Sequence, residues 1–138
     1  MTPDRLVAVF IGGFFGGLAR YEITAAWPSP RGSFPTATLL INLGGAFLLG
    51  AIVMLTRNRS VPYLRVALGT GWCGAFTTFG SVMTATDLLV AHGHQALAIG
   101  YLLASLGAGL TAVVLGMLSV SGLEAMDRRL GRRSRNAP

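Results

Sequence analysis

The residues of this chain that could act on an ion are few and sit in apolar surroundings. The run Gly71-Trp72-Cys73-Gly74-Ala75-Phe76-Thr77-Thr78-Phe79-Gly80 puts glycines, paired hydroxyls and aromatic rings into a segment otherwise greasy enough to cross a bilayer. Unpaired backbone N–H and C=O groups are costly in hydrocarbon, so irregular backbone persists there only where it is buried in protein or lines a water-filled path. A break at this place suggests a site for an ion or substrate. Other polar side chains stand at the same depth: Thr38 and Asn42 one helical turn apart, Tyr101 and Ser105 likewise, and Arg20 near the end of an apolar stretch. The amide N–H₂, the hydroxyls, the positive edge of the Phe79 ring and the guanidinium are donors that could replace the hydration shell of a small anion. The same groups can instead tie helices together, at about 0.6 to 2 kcal/mol per hydrogen bond. Spacing alone does not choose between the two.

The elements that must position these residues are membrane helices. At 138 residues the chain is one domain, with 52% hydrophobic and only 12% charged residues. No Asp, Glu, Lys or Arg occurs between Gly32 and Thr56, between Val66 and Thr86, or between His92 and Leu123. Each interval reaches the roughly 20 apolar residues a helix needs to span the hydrocarbon. Leu6 to Ala26 makes a fourth, with Arg20 and Glu22 near its end. The expected spans are 6–26, 36–56, 66–90 and 96–122, followed by an Arg-rich tail over 124–138. A cleaved signal peptide is the competing reading of the first span, but no A-x-A-like site follows it, and Arg20-Tyr21-Glu22 reads as an interfacial anchor. The connectors are short and leave no room for a domain outside the membrane.

All eleven basic residues are arginine. Four spans put Arg5, Arg57, Arg59, Arg65 and the tail residues Arg128, Arg129, Arg132, Arg133 and Arg135 on one side, with only Arg20 and Arg31 on the other. That asymmetry predicts both termini in the cytoplasm in one fixed orientation, and an odd number of spans would separate the basic N-terminus from the basic tail.

Other chemistries find little support. The tail has no interleaved aromatics and no fold to present it, so nucleic acid is not an expected partner; orientation and contact with anionic lipid are. Cys73 is the single cysteine and cannot form an intrachain disulfide, and His92 and His94 lack a third metal ligand. No nucleophile–base pair marks an enzyme. Gly12, Gly13, Gly16 and Gly17, and the ladder Ala104, Ala108, Ala112 and Gly116, are small-residue stripes that let membrane helices approach closely. Four helices this slight point to an oligomer.

Three motifs, in order, resemble the CrcB/Fluc fluoride channels across nearly the whole chain. They are Gly12-Gly13-Phe14-Phe15-Gly16-Gly17 with Arg20-Tyr21, then Thr38-Leu39-Leu40-Ile41-Asn42-Leu43-Gly44-Gly45-Ala46-Phe47-Leu48-Leu49-Gly50, then Gly71-x-x-Gly74-x-x-Thr77-Thr78-Phe79. The resemblance implies an all-α membrane protein of four helices, the third one broken, assembling as an antiparallel dimer with two pores along its interface. It implies a passive channel that lets fluoride leave across the bacterial inner membrane, surrounded by lipid and without ATP or proton coupling. It places Asn42, Tyr101 and Ser105 on the anion path. It also implies a central sodium ion, Na⁺, held by the backbone carbonyls of Gly74 and Thr77 and of the same pair in the partner subunit.

The match departs after Phe79. Family members usually continue Thr-Thr-Phe-Ser-Thr-Phe-Ser-x-Glu, whereas this chain has Val82 where the second Phe stands and Ala85 where the Glu stands. One pore-lining set is therefore altered. Together with the fixed orientation, this points to a two-gene form in which the chain pairs with an oppositely oriented relative; a homodimer is the other arrangement. A small multidrug-resistance-type exporter would need an acidic residue deep in the first helix, and Glu22 lies too near its end. A non-conducting assembly subunit would leave Asn42, Phe79 and the break without a role.

Overall fold

The computed structural model describes residues 2–30 and 32–135, with side chains as far as residue 123. Arg31 and the last three residues lie outside the described residues, as do the side chains of the tail arginines. The elements, in order, are α1 (Pro3–Ala26), α2 (Thr36–Thr56), α3 (Pro62–Arg65), a wide π-helical segment (Val66–Cys73), α4 (Gly74–Phe76), α5 (Phe79–Ala91) and α6 (Gln95–Arg135). Four stretches are long and apolar enough to cross a membrane: Pro3–Ala26, Thr36–Thr56, Pro62–Ala91 and Gln95–Leu123. The third runs through α3 to α5 and is the one that changes form along its length. The last helix does not stop with its apolar stretch, and its backbone continues through the Arg-rich sequence to Arg135.

Proline opens α1 and α3, where its missing N–H would have had no helical partner. The turn after α5 is built on Gly93, in the left-handed region at φ 81°. The Gly93 N–H bonds the Val90 carbonyl at 2.9 Å and the His94 N–H bonds the Leu89 carbonyl at 2.9 Å, which satisfies the last carbonyls of the helix. His92 Nδ1 lies 2.7 Å from the Leu88 carbonyl, so this histidine seals a helix end. Among the described residues, no group of three His, Cys, Asp or Glu could hold a metal ion.

Two close helix contacts organise the bundle. α2 packs chiefly against α6, and α1 against the π-helical segment. In the first contact Gly50 faces the Val113 carbonyl and Gly116 faces the Phe47 carbonyl, a reciprocal fit of glycine to backbone that a Cβ on either side would block. In the second, Gly12 faces the Ala67 carbonyl and Gly16 the Trp72 carbonyl, with Gly71 tucked against Val9 O. Of the two glycine stripes on α1, only Gly12 and Gly16 meet backbone in this way; Gly17 has open space beside it. On α6, Gly116 is buried while Ala104 is exposed, so the expected ladder is not one packed seam.

The outward surface is apolar: Phe10 is 74% exposed and Leu110 72% exposed. A water-soluble domain would not leave such rings and branched chains on several helices at once, whereas lipid or a second subunit covers them without penalty. The small core lies between α5 and α6, where Val82, Leu89, Ala98 and Tyr101 are buried together.

Candidate functional site

The break in the third span consists of two residues. Thr77 (ψ 153°) and Thr78 (φ −149°, ψ 114°) are extended, so the chain leaves α4 at Phe76 and re-enters a helix at Phe79. An α-helix bonds each N–H to the carbonyl four residues earlier. Two extended residues interrupt that ladder, and the freed groups must find partners inside the membrane.

Side chains from two other helices and from the break itself supply them. Asn42 of α2 grips Thr78 with both ends of its amide: Nδ2 donates to the Thr78 carbonyl at 3.1 Å, and Oδ1 accepts from the Thr78 N–H at 2.8 Å. Arg20 of α1 turns inward, its Nε donating to the Ala75 carbonyl at 3.0 Å. The Thr78 hydroxyl accepts from the Ser81 N–H at 3.2 Å and so caps α5. Thr77 stays bonded to the preceding turn, its N–H and its hydroxyl both donating to the Cys73 carbonyl at 3.0 and 2.9 Å.

This bonding has a further effect on the carbonyls. In an unbroken helix the Thr78 N–H would bond the Gly74 carbonyl, and the Ser81 N–H would bond the Thr77 carbonyl. The first N–H goes instead to Asn42 and the second to the Thr78 hydroxyl. Gly74 and Thr77 are thus deprived of their regular helical donors by side chains. Gly74 is helical (φ −65°, ψ −33°), exposed, and has no atom within 4 Å of where a Cβ would stand. Nothing among the described residues therefore requires glycine at that position, and the backbone there is ordinary helix that a β-branched residue can adopt.

Beside the break lies an open groove of about 260 Å³, bordered by Asn42, Thr77, Thr78, Phe79, Val82 and Ser105. Phe79 is 62% exposed on the outer side of the chain. Val82 is 3% exposed, packed in the α5–α6 core while also edging the groove, so a ring in its place would have to project into that groove. Tyr101 is wholly buried, with the Phe34 ring edge-on at 5.5 Å. Among the described residues the Tyr101 hydroxyl and the Ser105 Oγ have no partner of proper hydrogen-bond geometry, an unusual state for buried polar atoms, although the two sit near one another across one helical turn. Thr38 does not border the groove. It lines a separate hollow of about 280 Å³ with Ser81, Thr84, Ala85 and residues of the α1–α2 connection.

The structure thus brings Asn42, Thr77, Phe79 and Ser105 to one groove, ties Arg20 to the same break from α1, buries Tyr101 one turn from Ser105, and sets Thr38 apart. Glu22 is exposed in the last turns of α1. Ser81 lies outside the run that the sequence singles out, and Thr78, inside it, has a capping role that the run does not reveal. Thr78-Phe79-Gly80-Ser81 at the head of an apolar run carries a helix-start signal, and Asn42 had no sequence cue to its partner 36 residues away.

Comparison with known proteins agrees with this architecture. Residues 7–117 match the family model described as CrcB-like protein, Camphor Resistance (CrcB). The chain is 42% identical over 127 residues to fluoride-specific ion channel FluC 3 of Streptomyces avermitilis, an alignment covering 91% of this chain and 61% of that protein. It is 43% identical over 111 residues to fluoride-specific ion channel FluC 1 of Mycolicibacterium paratuberculosis, covering 79% of this chain and 84% of the relative. It is also 43% identical over 118 residues to the fluoride-specific ion channel FluC of Chlorobium chlorochromatii, with 83% and 91% covered. Four membrane-length helices, a break pinned by an asparagine from the second of them, and a family match over four-fifths of the sequence lead to one conclusion: the chain belongs to the CrcB-like family.

Proposed function

We propose that this chain is a subunit of a passive fluoride channel in the bacterial inner membrane, conducting fluoride out of the cell down its electrochemical gradient. The observation that carries the reading is the pinned break, an irregular stretch of membrane-depth backbone held open beside a groove with an unpartnered hydroxyl. The relatives named fluoride-specific channels give the ion its identity. In this reading the anion passes the exposed Phe79 ring edge and the hydroxyls of Ser105 and Tyr101. Asn42 and Arg20 keep the backbone shaped for it.

The pore is completed by a second four-helix subunit lying antiparallel to the first. Phe79, Gly74 and the outer faces of α1 and α6 are left uncovered by this chain and form the surface such a partner would meet. The nine-to-two arginine asymmetry favours N- and C-termini in the cytoplasm. A chain so oriented pairs with a related, oppositely inserted one, which also supplies the ring that Val82 does not. A sodium ion at the subunit junction fits the residues present: hard carbonyl oxygens suit a hard cation, and the carbonyls of Gly74 and Thr77 have their helical donors diverted elsewhere. Its charge would offset that of the anions passing nearby.

Proteoliposomes loaded with fluoride and given a potassium–valinomycin potential test the proposal. Fluoride should appear outside, chloride should stay, and flux should require co-expression with the oppositely oriented relative. Equal release of chloride, or no release from a verified complex, would refute the fluoride assignment. A topology reporter fused after Pro138 should be active only in its cytoplasmic version; equal activity in both versions would restore the homodimer.

A further inference from the structure

A third cavity lies away from the groove, at the end of the bundle where α1 begins and α2 gives way to α3. It has a volume of about 420 Å³ and is bordered by Arg5, Arg59, Arg65, Ser60, Pro62 and Val66. Its three arginines come from three separate segments: the first turn of α1, the connection after α2, and α3. Among the described residues no carboxylate lines it.

We propose that this cavity binds the phosphate headgroup of an anionic phospholipid. Guanidinium forks match phosphate oxygens in a bidentate way, and three of them around one space form a site for a multivalent, many-oxygen anion. The space is also the wrong size for a bare halide, since even a water molecule occupies only about 30 Å³ of liquid. Its walls are mixed as a lipid's are: the arginines and Ser60 provide the polar side, while Val61, Pro62 and Val66 provide an apolar one. Position favours lipid over a soluble phosphate. The apolar run of α1 starts at Leu6, immediately after Arg5, and half-exposed Tyr63 and Leu64 stand at the start of the third span, beside the cavity. Basic pockets between helices at this depth are where acidic headgroups bind. Arg57 belongs to the same connection but does not line the cavity, which gives an internal control. The proposal is independent of the transported ion, and its readout does not use flux.

Native mass spectrometry of the purified full-length chain, with phosphatidylglycerol or phosphatidylcholine titrated into the micelle, tests it. Phosphatidylglycerol should be retained in preference to phosphatidylcholine. Each of Arg5→Gln, Arg59→Gln and Arg65→Gln should weaken it about fivefold, and the triple variant about 100-fold, while Arg57→Gln should change it less than about twofold. A triple Arg→Lys variant preserves the charge that directs insertion and should still lose severalfold affinity through loss of the forks. A triple Lys variant with undiminished preference for phosphatidylglycerol would overturn the proposal, as would an Arg57→Gln variant as weak as the cavity variants. Millimolar inorganic phosphate that displaces the lipid through the same three arginines would also overturn it, and would make the site one for soluble phosphate.

Discussion

The polar residues of the break and those of α6 stand at the same depth in the bundle, but their hydrogen-bonding capacity is used differently. Around Thr77 and Thr78 the donors of Asn42, Arg20 and Thr77 are spent on backbone. Asn42 holds both polar groups of Thr78, Arg20 covers Ala75, and Thr77 bonds back to Cys73. On α6 the hydroxyls of Tyr101 and Ser105 are buried and unpartnered. The contrast separates two roles that composition alone would merge. A side chain whose donors already serve the backbone shapes a path, and a buried hydroxyl with an unspent donor is available to what moves along it.

The sharpest test lies where α1 supports the break. Gly12→Val would drive a branched side chain into the Ala67 carbonyl, with no flexible neighbour to yield. It should cost about 3 kcal/mol or more and leave little folded protein, read as lost monodispersity on size exclusion. A well-folded Gly12→Val variant would mean that α1 does not brace the π-helical segment.

Next comes Asn42. Asn42→Ala strips both Thr78 groups of their partner, and each orphaned buried group costs about 1–3 kcal/mol, so thermal stability and fluoride flux should fall together. Asn42→Asp retains an acceptor for the Thr78 N–H, loses the donor and adds a negative charge, so flux should fall further than stability does. Loss of flux in Asn42→Ala with an unchanged unfolding temperature would break the comparison, because it would make Asn42 an anion ligand rather than a splint.

For α6 the expected signature is reversed. Tyr101→Phe and Ser105→Ala remove hydroxyls with no partner to lose, so stability should move by less than about 0.5 kcal/mol or rise slightly. If the unspent donors serve the ion, flux should drop about tenfold or more, the scale of one net hydrogen bond. Clear destabilisation with normal flux would assign these hydroxyls to packing.

Gly74→Val should have the smallest effect on the chain itself, because open space surrounds the Cβ position and the backbone is ordinary helix. Its effect should be confined to pairing: normal unfolding of the single chain, but loss of the complex with its partner on co-purification. Destabilisation of the isolated chain would show that the exposed face at Gly74 is not where the second subunit sits.

Much of this architecture was legible in the sequence because the membrane leaves few alternatives. Charge-free intervals of helical length fix the number of spans, since backbone in hydrocarbon must satisfy itself within each helix. The break could be anticipated for the same reason, from glycines and paired threonines where unbroken apolar residues would otherwise run. Tertiary structure decided what each polar residue does. Asn42 and Thr78 are 36 residues apart, and no local period announces that the amide of one will take both backbone groups of the other. Nor does spacing reveal that Gly12 and Gly16 meet backbone while Gly17 meets nothing, or that Arg20 turns inward to a carbonyl instead of outward to the interface. Periodicity describes one helix at a time, whereas hydrogen-bond satisfaction at depth is settled between helices, where each donor goes to the unpaired group the packing brings within reach.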